Sequence, residues 1–390
     1  MQFDERFFDA GIDRMGTQCA KWEAPDIADE DMIPLWVADM DFACAPAIVE
    51  ALVQRARRAC YGYTFPEEAD QQAVCDFWKR RHQVDLAPAQ VGMLPTVITG
   101  LKVCVEHYTK PGEGVILQSP VYGPFYTSVA LNRRRVLDAP LVREADGAYR
   151  MDLQRVEDHL KAGARLMLLC SPHNPVSRVW TREELQALGE LLARYGAVLA
   201  ADEIHADFVY APHHFFPALR LDVPGLKVVS LVSAAKSFNI AGLQQASLLV
   251  RDSADMEAFG SLLSRSGVEA GNLFALTANR AAYTHGDAWL DGVVRYLDGS
   301  RALLKEQLAA LLPDAVLSPI EGTFLGWVDV RAYGIGEAQL KARLRENKVA
   351  LTEGTFFGKD SGNGFMRINF GCPRSQLAQG LERFAKAVKG

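Results

Sequence analysis

A chain of 390 residues, 49% hydrophobic and 23% charged, has the length for two or three domains and the composition of a soluble globular protein. A formal charge of −6 gives no basic footprint for nucleic acid or an anionic membrane. No apolar run reaches the roughly 18 residues a bilayer span needs, and the acidic start Met1–Arg6 lacks a signal-peptide core, so the expected compartment is the cytoplasm.

Residues 1–33 show little periodicity beyond a short amphipathic start and read as an entry arm. Pro34 to Phe42 follows. Helical patterns then run from about Pro46 to Cys60 and from about Glu67 to Arg81, separated by a break at Tyr61-Gly62-Tyr63. Beyond them helix and strand patterns alternate: helix 99–108, strands 115–118 and 135–139, helix 152–162, strand 165–170, helix 181–195, and strands 197–201 and 227–233. Strands separated by helices of this length predict an α/β fold whose parallel sheet is covered on both faces. From about Trp289 the texture changes to a long helix (286–312), a strand (322–330), a helix (337–347), short strands and a last helix (374–388). The expected division is a large domain 46–285 and a smaller α+β domain 286–390, which the N-terminal segment 1–45 joins.

Seven cysteines lie scattered without a C-x-x-C pair, which argues against a disulfide framework and a zinc site, and no metal is expected. Cys170, inside an apolar strand, reads as packing, and His213-His214 as part of a loop.

The informative positions stand just past the strands, where open α/β sheets place their ligands. Ser119-Pro120-Val121-Tyr122 offers an aromatic ring, and Ser171-Pro172-His173-Asn174-Pro175 an amide between prolines. Asp202-Glu203-Ile204-His205 offers a carboxylate, and Ser233-Ala234-Ala235-Lys236 an amine. Taken singly, each has an ordinary reading: core tyrosine, turn asparagine, strand-capping aspartate, surface lysine. Together they match what pyridoxal phosphate requires. Its aldehyde needs an amine, for which Lys236 stands ready, and its ring nitrogen needs a carboxylate that keeps it protonated, which is Asp202. Asn174 suits the 3′-oxygen as a hydrogen-bond donor, and Tyr122 the flat ring as a stacking face. The phosphate needs a helix N-terminus; the helix opening after Leu94-Pro95-Thr96 offers the amides of Val97 and Ile98, with a hydroxyl from Ser233.

The Ser-Pro-His-Asn-Pro run at 171–175, the Asp-Glu-Ile-His run at 202–205 and the Ser-Ala-Ala-Lys-Ser-Phe-Asn run at 233–239 resemble motifs of the fold-type-I pyridoxal-phosphate enzymes of the class I/II aminotransferase superfamily. Within it, Trp36–Phe42, His205, Ala281–Leu290 and Gly364–Arg374 resemble the cystathionine β-lyase (MalY/PatB) branch, and the resemblance covers nearly the whole chain. It implies a large domain with a mostly parallel seven-stranded sheet and a smaller α+β domain. It also implies a homodimer with active sites at the interface. Arg367 then holds the substrate's α-carboxylate, as a guanidinium fork does. His205 contacts the cofactor, and Tyr63 reaches across the interface to the partner's cofactor. Without the resemblance, Arg367 reads as a salt-bridge arginine and Tyr63 as a turn aromatic. Trp36 and Asp39 are taken as substrate-binding residues; Trp36, Tyr63 and Phe324 read as specificity walls or equally as core.

Three departures stand out. Val176-Ser177 replaces the Thr-Gly that many relatives carry after Asn174-Pro175, Gln244 stands where many aminotransferases place a phosphate-binding arginine, and His205 replaces a tyrosine directed at the 3′-oxygen. The last is shared with the lyase branch. The expected activity is therefore α,β-elimination from cystathionine or a cysteine S-conjugate, giving a thiol, pyruvate and ammonia. The alternatives are an aminotransferase with the same cofactor site, and a regulatory protein that kept the fold.

Overall fold

The computed structural model describes residues 3–25, 27, 31–268 and 271–390. Of the predicted entry arm, residues 1, 2, 26 and 28–30 lie outside the described residues. A seven-stranded sheet forms the centre. Its strands are β1 (Val91–Leu94), β2 (Gly114–Leu117), β3 (Arg135–Asp138), β4 (Leu166–Cys170), β5 (Val198–Asp202), β6 (Lys227–Val232) and β7 (Ala246–Val250), in the spatial order β1-β7-β6-β5-β4-β2-β3. The run from β6 to β3 is parallel, and β7 alone runs antiparallel to both its neighbours.

Side chains of successive residues leave a strand on opposite faces. In β4, Leu166, Leu168 and Cys170 enter one core while Met167 and Leu169 enter another; in β5, Val198 and Ala200 go to the first side, Leu199 and Ala201 to the second. The first core is roofed by α1 (Val97–Tyr108), the second by α2 (Leu153–Lys161) and α3 (Arg182–Arg194). α3 starts where the sequence signals it, with Thr181 and Glu184 forming a reciprocal capping box. α1 lies close on β6 because residue 100 is glycine: a Cβ there would stand 2.5 Å from Leu231 Cδ2. That close approach fixes where the N-terminus of α1 points.

The C-terminal part builds a second, antiparallel sheet, with β8 (Val316–Leu317), β9 (Leu325–Asp329), β10 (Thr352–Glu353) and β11 (Phe365–Asn369) in the order β8-β9-β11-β10. α4 (Asp287–Leu311) and α5 (Arg374–Lys389) pack with it. The N-terminal segment adds a short parallel pair to this region, Ile33–Pro34 beside Val349–Ala350.

β1, β7 and the helices Ser253–Arg265 and Leu273–His285 are absent from the chain-order expectations above. The two strands are short and poor in β-branched residues, so periodicity alone does not separate them from neighbouring helix or turn. Among the described residues no helix is long and apolar enough to cross a membrane, and no cluster of three or more His, Cys, Asp or Glu side chains could hold a metal.

Candidate active site

The carboxyl ends of β4, β5 and β6, the N-terminus of α1 and the strand β11 converge on one cavity of about 480 Å³. Lys236, Asp202, Asn174, Arg367, Tyr122 and His205 all line it, as do Val97, Ile98, Ser233 and Trp36.

Lys236 sits in a single helical turn, Ala234–Ser237, that β6 enters through Ser233. The Ser233 hydroxyl accepts from the Ala235 amide (3.0 Å) and donates to the Gln245 carbonyl (2.5 Å). Its proton is therefore already placed, and toward an anion it contributes less than the sequence expectation assigns. Behind the lysine, the Ser237 hydroxyl donates to Asp207, whose other oxygen lies 2.9 Å from His82 Nε2. Burial lowers the Lys236 ammonium's pKa, Arg367 and Lys21 push the same way, and Asp39 and Asp202 oppose them. Its Nζ donates to the Ala38 carbonyl at 2.5 Å.

Asp202 ends β5. One carboxylate oxygen accepts the Ile204 amide at 3.1 Å, and burial pushes the carboxyl up to about 7. His205 is buried, edge-on to Phe324, and pushed down to about 3 by burial with Lys236 and Arg367 adding to the effect; it is neutral, and its Nδ1 has no partner. Asn174 accepts Arg367 Nη1 through its Oδ1 (3.2 Å), which leaves its NH2 as a donor. Arg367, on β11, also donates to the Trp36 carbonyl (2.6 Å) and to Thr352 Oγ1 (3.3 Å), lies over Phe357 (4.8 Å), and keeps a buried Nε with no partner. Burial lowers its pKa to about 10, so it stays charged at neutral pH.

At the α1 end, Thr96 Oγ1 caps the Thr99 amide (3.1 Å), leaving the Val97 and Ile98 amides without an acceptor inside the helix. Gln244 also lines the cavity, and among the described residues of its wall Lys236 and Arg367 are the lysine and arginine. Cys170, also on the wall, receives the Asn174 amide at 3.4 Å, and burial raises its thiol pKa well above the ordinary value.

Three of the expected residues do not line this chain's own cavity. The Asp39 carboxylate is held by Arg14 at 2.7 Å. Tyr63 is 97% exposed, as a residue directed at a partner would be, and Phe324 is core, packed against His205 and Phe208. Ser177, in place of glycine, takes a left-handed φ of 59° and is secured by hydroxyl bonds to Thr323 (2.9 Å) and the Leu325 carbonyl (2.6 Å). Sequence reasoning missed Thr352, Phe356 at the cavity wall beside Tyr122, and the capping role of Thr96. The Thr96/Thr99 spacing was a readable cap signal for the last of these; for the other two there was none.

Residues 30–384 match the family described as Aminotransferase class I and II. The chain belongs to that family. Among curated relatives, cystathionine beta-lyase PatB of Bacillus subtilis is 38% identical, with 98% of this chain and 99% of the relative covered. Protein MalY of Escherichia coli is 34% identical, with 98% of each chain covered. Among solved structures, cystalysin from Treponema denticola, which contains a pyridoxal 5′-phosphate cofactor, superposes with a TM-score of 0.92 at 30% identity, over 97% of this chain and 98% of its own.

Proposed function

We propose that this protein is a pyridoxal-phosphate-dependent carbon–sulfur β-lyase that cleaves cystathionine or a related cysteine S-conjugate to a thiol, pyruvate and ammonia. The observation that carries the reading is the convergence of Lys236, Asp202 and Arg367 on one cavity. The residues fit the cofactor. Asp202 is a buried carboxyl in want of a cation, the Asn174 NH2 and His205 Nδ1 are unspent polar groups, and the first turn of α1 offers free amides to a phosphate. Bound there, pyridoxal phosphate supplies an electron sink for the charge left when the substrate's α-proton is removed.

The chain's own groups do the rest. Arg367 fixes the substrate's α-carboxylate against Asn174, and Trp36 closes that side of the cavity. Asp202 is the residue that would hold a positive charge on the ring nitrogen, from a buried, water-poor setting. Tyr122 supplies the ring face. The Lys236 amine, its neutral form favoured by burial, takes the α-proton as general base. A thiolate then departs from the β-carbon, and being a good leaving group it needs little further assistance.

Incubation with cystathionine and no added oxo acid is the test. Continuous pyruvate and ammonia formation supports elimination; accumulation of the aminated cofactor until an oxo acid is supplied replaces the lyase reading with transamination. Within the same reading, Arg367→Leu is expected to raise KM roughly 100-fold, the worth of two charge-assisted hydrogen bonds, with kcat reduced much less. An unchanged KM removes Arg367 from the substrate.

The same reading takes the protein as cytoplasmic and as a homodimer, and features of its exposed surface support the second. Tyr61, Tyr63 and Phe65 are exposed beside a shallow hollow of about 730 Å³ between the helices Pro46–Arg57 and Leu273–His285, where Val49 is exposed too. Such a patch is suited to burial against a second copy, which brings Tyr63 to the partner's cavity. Sedimentation at twice the chain mass, reduced to one chain by Phe65→Glu, is the expected result; a wild-type monomer of full activity defeats it.

A further inference from the structure

The segment Trp36–Phe42 touches both reactive cations through its backbone. The Trp36 carbonyl accepts from Arg367, and the Ala38 carbonyl accepts from Lys236. Two asparagines hold the segment in between. Asn239, three residues past Lys236, binds the Met40 amide (3.1 Å) and donates to the Met40 and Phe42 carbonyls (2.9 and 2.7 Å). Asn369, two residues past Arg367, donates to the Val37 and Asp39 carbonyls (2.6 and 2.7 Å). The segment is thus a bridge between the element bearing the base and the strand bearing the carboxylate anchor.

Its outer side is locked by the entry arm. Lys21 is buried, its ammonium donating to Asp41 Oδ2 and to the Asp39 carbonyl, both at 2.8 Å. Asp41 is buried too and accepts Trp22 Nε1 (2.9 Å), Gln376 Nε2 (2.9 Å) and Arg14 Nη1 (3.2 Å). Arg14 spans to Asp39 at 2.7 Å, and the Trp36 indole donates back to the Lys21 carbonyl at 2.9 Å. Removing one member of a buried pair leaves the other charged and unpaired in the interior.

We propose that Lys21, paired with Asp41, is a positioning residue for the reaction: it sets the path of Trp36–Phe42 and so the separation of Lys236 from Arg367 across the cavity. A lysine whose charge is spent on a loop's carbonyl and carboxylate, and not on solvent, fixes that loop far more tightly than an apolar contact does. The entry arm is on this account part of the machinery without touching substrate. The inference takes its substrate from the lyase reading.

The experiment uses the full-length holoprotein and cystathionine. Lys21→Met is expected to raise KM and lower kcat together, cutting kcat/KM at least about tenfold, and to move the pH midpoint of the bound cofactor's visible absorbance. The pair Lys21→Met/Asp41→Asn removes the carboxylate's charge while keeping an acceptor for Trp22 and Arg14; it recovers part of the lost melting temperature yet keeps both kinetic defects. Arg14→Gln, at a partly exposed position, gives a milder form of the same pattern and stands in if the first variant does not fold. Wild-type kcat, KM and spectral pH midpoint in the folded double variant overturn the proposal, as does a melting-temperature loss alone. A wild-type protein that makes no pyruvate removes the lyase reading instead.

Discussion

Lys236→Ala lowers pyruvate formation by about 10⁴-fold or more, since a positioned general base alone is worth 10²–10⁴ and the covalent tether to the cofactor is lost with it. The physical ground is the lysine's surroundings. Its ammonium is half-buried in the turn after β6, and desolvation, with Arg367 and Lys21 adding to it against Asp39 and Asp202, lowers its pKa from the ordinary lysine value and so favours the neutral amine. The variant retains the α1 N-terminus, Asn174, Asp202 and Tyr122, so it still binds the cofactor, now removable by dialysis. Borohydride reduction followed by peptide mapping labels residue 236 in the wild type and no peptide in the variant. A variant within tenfold of wild type, or a label on another lysine, would sink the assignment of the base.

Asp202→Asn gives the second large effect, a fall in kcat of about 10²–10³-fold, the usual loss when one buried electrostatic partner is removed from an active site. The same substitution carries a pH signature in the cofactor-free protein. Burial raises this carboxyl from 3.8 to about 7 in the folded chain, so between those values the folded state keeps a proton that the unfolded chain has released. Stability from this group is therefore present below pH ~4 and lost as pH rises toward 7, by up to roughly 4 kcal/mol for a shift of about three units. Glu203 is likewise raised to about 7, chiefly by burial and only in smallest part by the Asp202 charge, so most of its contribution is common to wild type and variant. The melting temperature of cofactor-free Asp202→Asn should accordingly gain on wild type as pH rises from 4 to 7.5. A constant difference across that range means that the carboxyl is not desolvated.

What the sequence made legible follows from burial on both faces of a parallel sheet. β4 is an unbroken apolar run, β5 is apolar until Asp202 ends it, and β6 is apolar but for Lys227 and Ser230, so the chemistry-bearing residues at or just past their ends, Asn174, Asp202 and Lys236, stand out without any knowledge of tertiary contacts. Groups that act through neighbours far along the chain were not readable. Thr352 matters only because β10 pairs with β11 beside Arg367, and Asp39 stands off the cavity wall because its partner is an arginine of the entry arm, 25 residues earlier. Periodicity carries no signal for a loop whose backbone, and not its side chains, meets the reactive groups. Ser177 shows a further limit: a missing glycine argues against a left-handed backbone, yet hydroxyl bonds hold Ser177 in one.

Cys170 has a consequence for a catalyst whose product is itself a sulfur nucleophile. Its sulfur sits on the chamber wall, but desolvation keeps the proton on it, and the thiolate is the form that exchanges with disulfides. Oxidised product drifting back into the chamber therefore meets an inert neighbour, and self-poisoning through a mixed disulfide is suppressed by the same dryness that readies the amine across from it.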